Sequence, residues 1–229
     1  MVFKVIIDDE KLEPGYKPGW GISVYFPDLT LLFDTGEDNL PLEQNLSIAG
    51  IEKEDIKYIF ITRDNWEHTG GLEAVMGVNK VVYVPSRASS DLIEMIHSVG
   101  AECRETERIK EILPSVYAVR SPVEEVPEQA LLIQGGLGVS IMIGSSKSGA
   151  LNIMKATQAL LQPIDLLFGK LNALSLNEGE LLTLAREIDR YKPRRVAPAH
   201  CSGRIALKIF KGYFKDRFID VGIGLEGEV

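Results

Sequence analysis

Residues Thr62–Gly71 read T-R-D-N-W-E-H-T-G-G, and this stretch decides the fold. It follows Tyr58-Ile59-Phe60-Ile61, an aromatic and β-branched run that predicts a strand ending where the polar residues begin. Glu67 offers a carboxylate and His68 an imidazole, both competent metal donors. Arg63 cannot ligate, because its guanidinium keeps its charge and has no lone pair to give. Asn65 offers only an amide oxygen, a poor substitute for imidazole toward zinc. Trp66 is expected to pack, or to cap a pocket beside these groups.

The remainder of the chain limits what such a loop can belong to. With 229 residues, 45% of them apolar, the chain is long enough for one sizeable core, and a single domain over 1–229 is expected. It holds no run of eighteen apolar residues, so no membrane span and no membrane partner are expected. The N-terminal MVFKVIIDDEKLEPG turns acidic after a short apolar run, which reads as a first strand and not as a signal peptide. Cys103 and Cys201 lie far apart in unrelated contexts, so no disulfide framework is suggested and a cytoplasmic location is the expectation. A net charge of −8 argues against sequence-independent nucleic-acid binding, which needs many cationic contacts to phosphate. Basic residues gather late, at Lys192-Pro193-Arg194-Arg195 and through Arg204, Lys208, Lys211, Lys215 and Arg217, where they read as a loop and a solvated helix face. A small anionic partner fits this balance; the composition says nothing of self-association.

Short β-branched runs bounded by Gly, Pro, Asp or Asn predict strands at Phe3–Ile7, Gly21–Phe26, Thr30–Asp34, Tyr58–Thr62, Lys80–Pro85, Val116–Val119, Ala130–Gln134, Val139–Ile143, Ile164–Phe168 and Arg195–Pro198. Helices are expected over Ser89–Val99, Gly149–Leu161 and Asn177–Tyr191, each with a capping residue, glycine or proline at an end. A hairpin turning at Gly135-Gly136 opens the second half. From the pattern alone this is a mixed α/β protein.

Five segments, in order, carry a more specific likeness. They are Asp34-Thr35-Gly36 after an apolar run, the Thr62–Gly71 loop, Gly144-Ser145-Ser146-Lys147-Ser148-Gly149, Phe168-Gly169-Lys170-Leu171-Asn172, and Pro198-Ala199-His200-Cys201-Ser202-Gly203. Together they resemble the metallo-β-lactamase superfamily, in which a DTG turn precedes S/T-H-x-H-x-D-H-x-G-G. Within it, the chain resembles the dihydropterin-ribofuranosyl-aminobenzene-phosphate synthase-like branch of metal-dependent hydrolases. The likeness runs from about Trp20 onward and takes in Gly19–Ser23 and an expected closing strand at Phe218–Leu225. It implies a four-layer αββα sandwich. It also implies that Asp34 is a buried acid hydrogen-bonded behind the metal loop; read alone, Asp34-Thr35-Gly36 is a turn.

The same alignment implies that Arg63, Asn65, Lys147 and Asn172 stand in histidine places, that Glu67 stands for an aspartate, and that His68 and His200 are retained. Three usable donors then remain, Glu67, His68 and His200, enough for a mononuclear site holding zinc, iron or manganese. Arg63 and Lys147 oppose a nearby dication, and the donor count favours a metal-free pocket. Three readings stay open. In one, a single-metal hydrolase of a phosphoester uses Glu67, His68 and His200 as ligands and catalytic groups. In another, an atypical or inactive relative clamps a small phosphorylated or carboxylated compound with Arg63 and Lys147, while Asn65, Asn172 and His68 read polar groups. In the last, a non-catalytic scaffold subunit fills the pocket with an ion pair between Glu67 and Arg63 or Lys147. His97 is expected on a helix surface and Cys201 as a packed thiol.

Overall fold

The computed structural model describes residues 1–157 and 162–229, with residue 200 described by its backbone alone. Among these residues the first half of the chain supplies β1 (Val2–Ile7), β2 (Ser23–Phe26), β3 (Leu31–Phe33), β4 (Tyr58–Phe60), β5 (Val81–Pro85) and β6 (Glu102–Thr106). The second half supplies β7 (Ile109–Leu113), β8 (Val116–Arg120), β9 (Gln129–Gly135), β10 (Gly138–Ile143), β11 (Ile164–Gly169) and β12 (Arg195–Pro198), and β13 (Glu226–Glu228) closes the chain. One sheet has the order β13-β1-β2-β3-β4-β5-β6 and the other β12-β11-β10-β9-β8-β7. Strands β3 to β6 run parallel, as do β10 to β12, and the remaining pairings are antiparallel.

Burial follows from this arrangement. Parallel strands are covered on both faces and so read as continuous apolar runs. Every residue of β5, β10 and β11 is buried. Between the sheets, Phe3, Val24, Phe33 and Phe60 from one pack with Val116, Leu131, Met142 and Phe168 from the other. The rings of Phe3 and Phe168 meet edge-on across the seam at 5.5 Å. The outer face of the first sheet is covered by α1 (Asn39–Ile48), by the one-turn helix α3 (Leu72–Val75), which follows the one-turn helix α2 (Trp66–Thr69), and by α4 (Ser90–Ser98). Helices α5 (Ala150–Thr157), α6 (Glu178–Asp189) and α7 (Arg204–Phe214) cover the second. The result is the expected four-layer αββα sandwich. No helix among the described residues is long and apolar enough to cross a membrane.

Several expectations are corrected. Strands β6 and β7 were not expected: they are sheet edges, largely exposed, and carry charges where buried strands carry Val or Ile. Helix α1 was not expected either; Pro41 lies in its first turn and Asp38 caps it. The hairpin turns at Gly136-Leu137, one residue later than expected, because Gly135 pairs with Gly138. Phe218–Leu225 is not a continuous strand. It forms single bridges, Phe218 with Val196 of β12 and Ile223 with Lys11, and turns at Gly224, whose φ is +94°, before β13. The helix expected over Gly149–Leu161 is present over Ala150–Thr157, and residues 158–161 lie outside the described residues. The late basic residues are largely met by acids: Arg194 and Arg195 by Asp165, Arg204 by Glu10, Lys211 by Asp220 and Arg217 by Asp189.

Candidate functional site

The carboxyl ends of β3, β4, β10, β11 and β12 point the same way, and the five sequence segments are the loops that leave them. Open ends of parallel strands are the usual place for ligands in α/β sheets, because loops from several strands converge there. At the centre lies Asp34, fully buried, with φ +50°. Its Oδ1 accepts the Thr62 N–H at 2.7 Å, and its Oδ2 accepts the Thr62 hydroxyl at 2.6 Å. The same Oδ2 lies 2.8 Å from His68 Nδ1. A carboxylate can only accept, so it fixes the tautomer with the proton on Nδ1 and leaves Nε2 as the working nitrogen. His68 is buried, and its carbonyl accepts from both the N–H and the hydroxyl of Thr35. The Asp34-Thr35 turn therefore grips His68 at its ring and at its backbone.

Glycines permit this convergence. A Cβ at Gly70 would overlap the Glu37 carbonyl oxygen, and one at Gly71 the Thr35 carbonyl oxygen. A Cβ at Gly144 would overlap the Asp34 carboxylate itself. The T-G-G after His68 and the glycine opening Gly144–Gly149 are thus places where backbone presses on the Asp34 turn.

Glu67 takes a partner that the sequence reading did not name. Its Oε2 lies 2.7 Å from Lys170 Nζ, with about a fifth of each side chain exposed (20% and 21%). Burial alone would raise the Glu67 pKa; the hydrogen bond and charge of Lys170, aided by His68 and Trp20, outweigh it and hold the carboxyl below its usual range. The pair expected between Glu67 and Arg63 or Lys147 is replaced by this one. Lys170 lies one residue past β11, whereas Asn172, also expected in the pocket, is exposed at φ +52°. The Cys201 thiol is pushed up to about 12 by burial first and then by the charges of Asp8, Asp9 and Glu67, with Lys170 opposing. Asp8 and Asp9 lie just past β1, and no motif announced their charge on this thiol.

A second acid was also missed. Glu128 is fully buried, and its carboxylate accepts from the Ser145 hydroxyl at 2.7 Å, the Lys147 N–H at 3.0 Å, the Ser148 N–H at 2.9 Å and the Ser148 hydroxyl. Its backbone forms an isolated antiparallel bridge with Arg63. One residue thus brings the Arg63 and Lys147 segments together. Arg63 is half-buried and Lys147 exposed. Asn65 is half-buried and caps α2, its side chain accepting the Trp66 N–H at 3.0 Å. Trp66 is not packed in the core, being 54% exposed. His200 opens a short turn after β12, and its side chain lies outside those described. His97 is exposed on α4.

A dinuclear metal centre does not fit these residues. Among the described residues no group of three or more His, Cys, Asp or Glu side chains is placed to hold an ion. Of the expected ligands, Glu67 is already engaged by an ammonium, and His68 is the one other described donor.

By sequence, no family model and no curated protein matches the chain. Solved structures do match by shape. Tm1679, a metal-dependent hydrolase of the β-lactamase superfamily, superposes with a TM-score of 0.87 at 24% identity, covering 100% of this chain and 99% of its own. YhfI of Bacillus subtilis, a metallo-β-lactamase fold protein, gives 0.70 at 12% identity over 99% and 98%. Human tRNase Z, short form (ELAC1), gives 0.66 at 13% identity over 100% and 99%. At these identities the likeness is one of fold, and the fold is that of the metallo-β-lactamases.

Proposed function

We propose that this metallo-β-lactamase-fold chain binds a small phosphorylated or carboxylated compound at the ends of its parallel strands, without a resident metal. The observation that carries the reading is Glu128: its backbone bridges Arg63 while its carboxylate holds the Lys147 N–H at 3.0 Å. Four donors already satisfy the Glu128 charge, and neither the Arg63 guanidinium nor the Lys147 ammonium is among them. A guanidinium fork and an ammonium suit a phosphate or carboxylate, with Asn65 and His68 the groups nearer the loop for polar contacts. The Glu67–Lys170 pair supports the metal-free part of the reading, because it occupies the carboxylate a metal would need. The test is thermal protection by inorganic phosphate, phosphomonoesters and dicarboxylates. Arg63→Ala and Lys147→Ala are each expected to weaken the protecting anion about tenfold, the range of one charge-assisted contact. Absence of protection by any of these anions at millimolar concentration would overturn the reading.

A second reading is favoured by one observation. The carboxylate–histidine pair of Asp34 and His68, with Nε2 left available, is the arrangement that orients metal-ligating histidines. In that reading the chain is a hydrolase, as the metal-dependent hydrolase Tm1679 suggests, and its substrate a phosphoester. One divalent ion would sit on Glu67, His68 and His200 after displacing Lys170. Elemental analysis after dialysis against metal-free buffer separates the two: about one equivalent of zinc, iron or manganese supports the second reading.

A further inference from the structure

The geometry points to Lys170 as a tethered replacement for a metal's charge: its ammonium occupies the cation position beside Glu67 and thereby opposes a divalent ion at that carboxylate. This rests on the metal-free part of the reading above and goes beyond it by naming the group responsible.

The argument starts from what surrounds Lys170. Its Nζ lies 2.7 Å from Glu67 Oε2, and the pair joins loops 103 residues apart, one from each sheet. The charges of Asp8, Asp9, Glu67 and Lys170 all act on the same buried thiol of Cys201. His68 follows Glu67 directly, and its ring is already oriented by Asp34 as metal-binding histidines are. The Glu67 carboxylate, on a loop that backbone glycines let press against its neighbours, calls for positive charge. Lysine supplies it as a compact point charge on a flexible stem. A divalent ion arriving beside that ammonium would meet like-charge repulsion at close range, and the strongest available carboxylate would already be bound.

The role is specific to charge, which makes it separable from packing. Lys170→Met keeps the stem and removes the charge; Lys170→Gln does so with a shorter, polar side chain, and measuring both guards against one variant failing to fold. Lys170→Arg keeps the charge. Each is dialysed against micromolar free zinc or manganese, bound metal is counted by elemental analysis, and melting is followed with and without the ion. The expected result is no stoichiometric metal in the wild-type or Lys170→Arg proteins. In a folded neutral variant, about one equivalent should bind at least about tenfold more tightly, with a matching rise in melting temperature. Adding Glu67→Gln to the neutral variant should abolish that binding. Metal bound by the wild type would overturn both this inference and the metal-free reading. No metal in the wild type or in either neutral variant would overturn the inference alone.

Discussion

At Asp34, two carboxylate oxygens meet three donors from two residues, and all three residues are buried. Removing the acid would strand the Thr62 N–H and the His68 ring without partners and leave alanine at a φ of +50°, where Asp and Asn are tolerated best. Asp34→Ala is therefore expected to lower unfolding free energy by about 2–4 kcal/mol, and Asp34→Asn by less, in denaturant melts. An Asp34→Ala protein as stable as the wild type would show that the network holds little. At this scale Asp34 and His68 were legible in the chain, because a DTG turn and an E-H-T-G-G loop are local patterns with local reasons. Lys170 and Glu128 were not, because each enters the site through contacts between distant loops. No local spacing announces a lysine that reaches a glutamate 103 residues away.

The element that organises the site is the succession of β4, α2 and α3, where a strand ends, one turn presents His68, and Gly70-Gly71 lets the chain pass under the Asp34 turn. Gly70 has ordinary helical angles, φ −64° and ψ −29°, so propensity alone would favour alanine there by up to about 1 kcal/mol. The Glu37 carbonyl oxygen fills the space a Cβ would take. Sterics should win, and Gly70→Ala is expected to destabilise by about 1–3 kcal/mol. A stabilised variant would mean that the 37–38 turn yields easily. The same contrast between local and tertiary causes decides which elements the sequence revealed. Strands β5, β10 and β11 were plain because burial on both faces writes an unbroken apolar run. Strands β6 and β7 were hidden because an edge strand needs neither, and Lys110, Glu111, Glu102 and Arg104 look like loop residues.

Across the whole molecule, each sheet draws on one contiguous half of the chain, with β13 the single late addition to the first. Cys103 and Cys201 belong to different halves, and burial pushes their thiols up to about 11 and about 12. Both should stay protonated at pH 8 and react slowly with a thiol-specific reagent in the native protein, then rapidly in denaturant. A fast native thiol would contradict the packing around it.

The division into halves has a further consequence at the seam. Glu67 comes from one half and Lys170 from the other, and the Asp34 carboxylate of the first presses on Gly144 of the second. Neither partner is sensible alone. Exchange one half for its counterpart from a chain with a full complement of metal-binding histidines, and the hybrid inherits either an acid without its ammonium or an ammonium facing ligands built for an ion. Recombination between two such lineages would be punished at the pocket even where both cores fold, so drift in one half constrains what the other half can become.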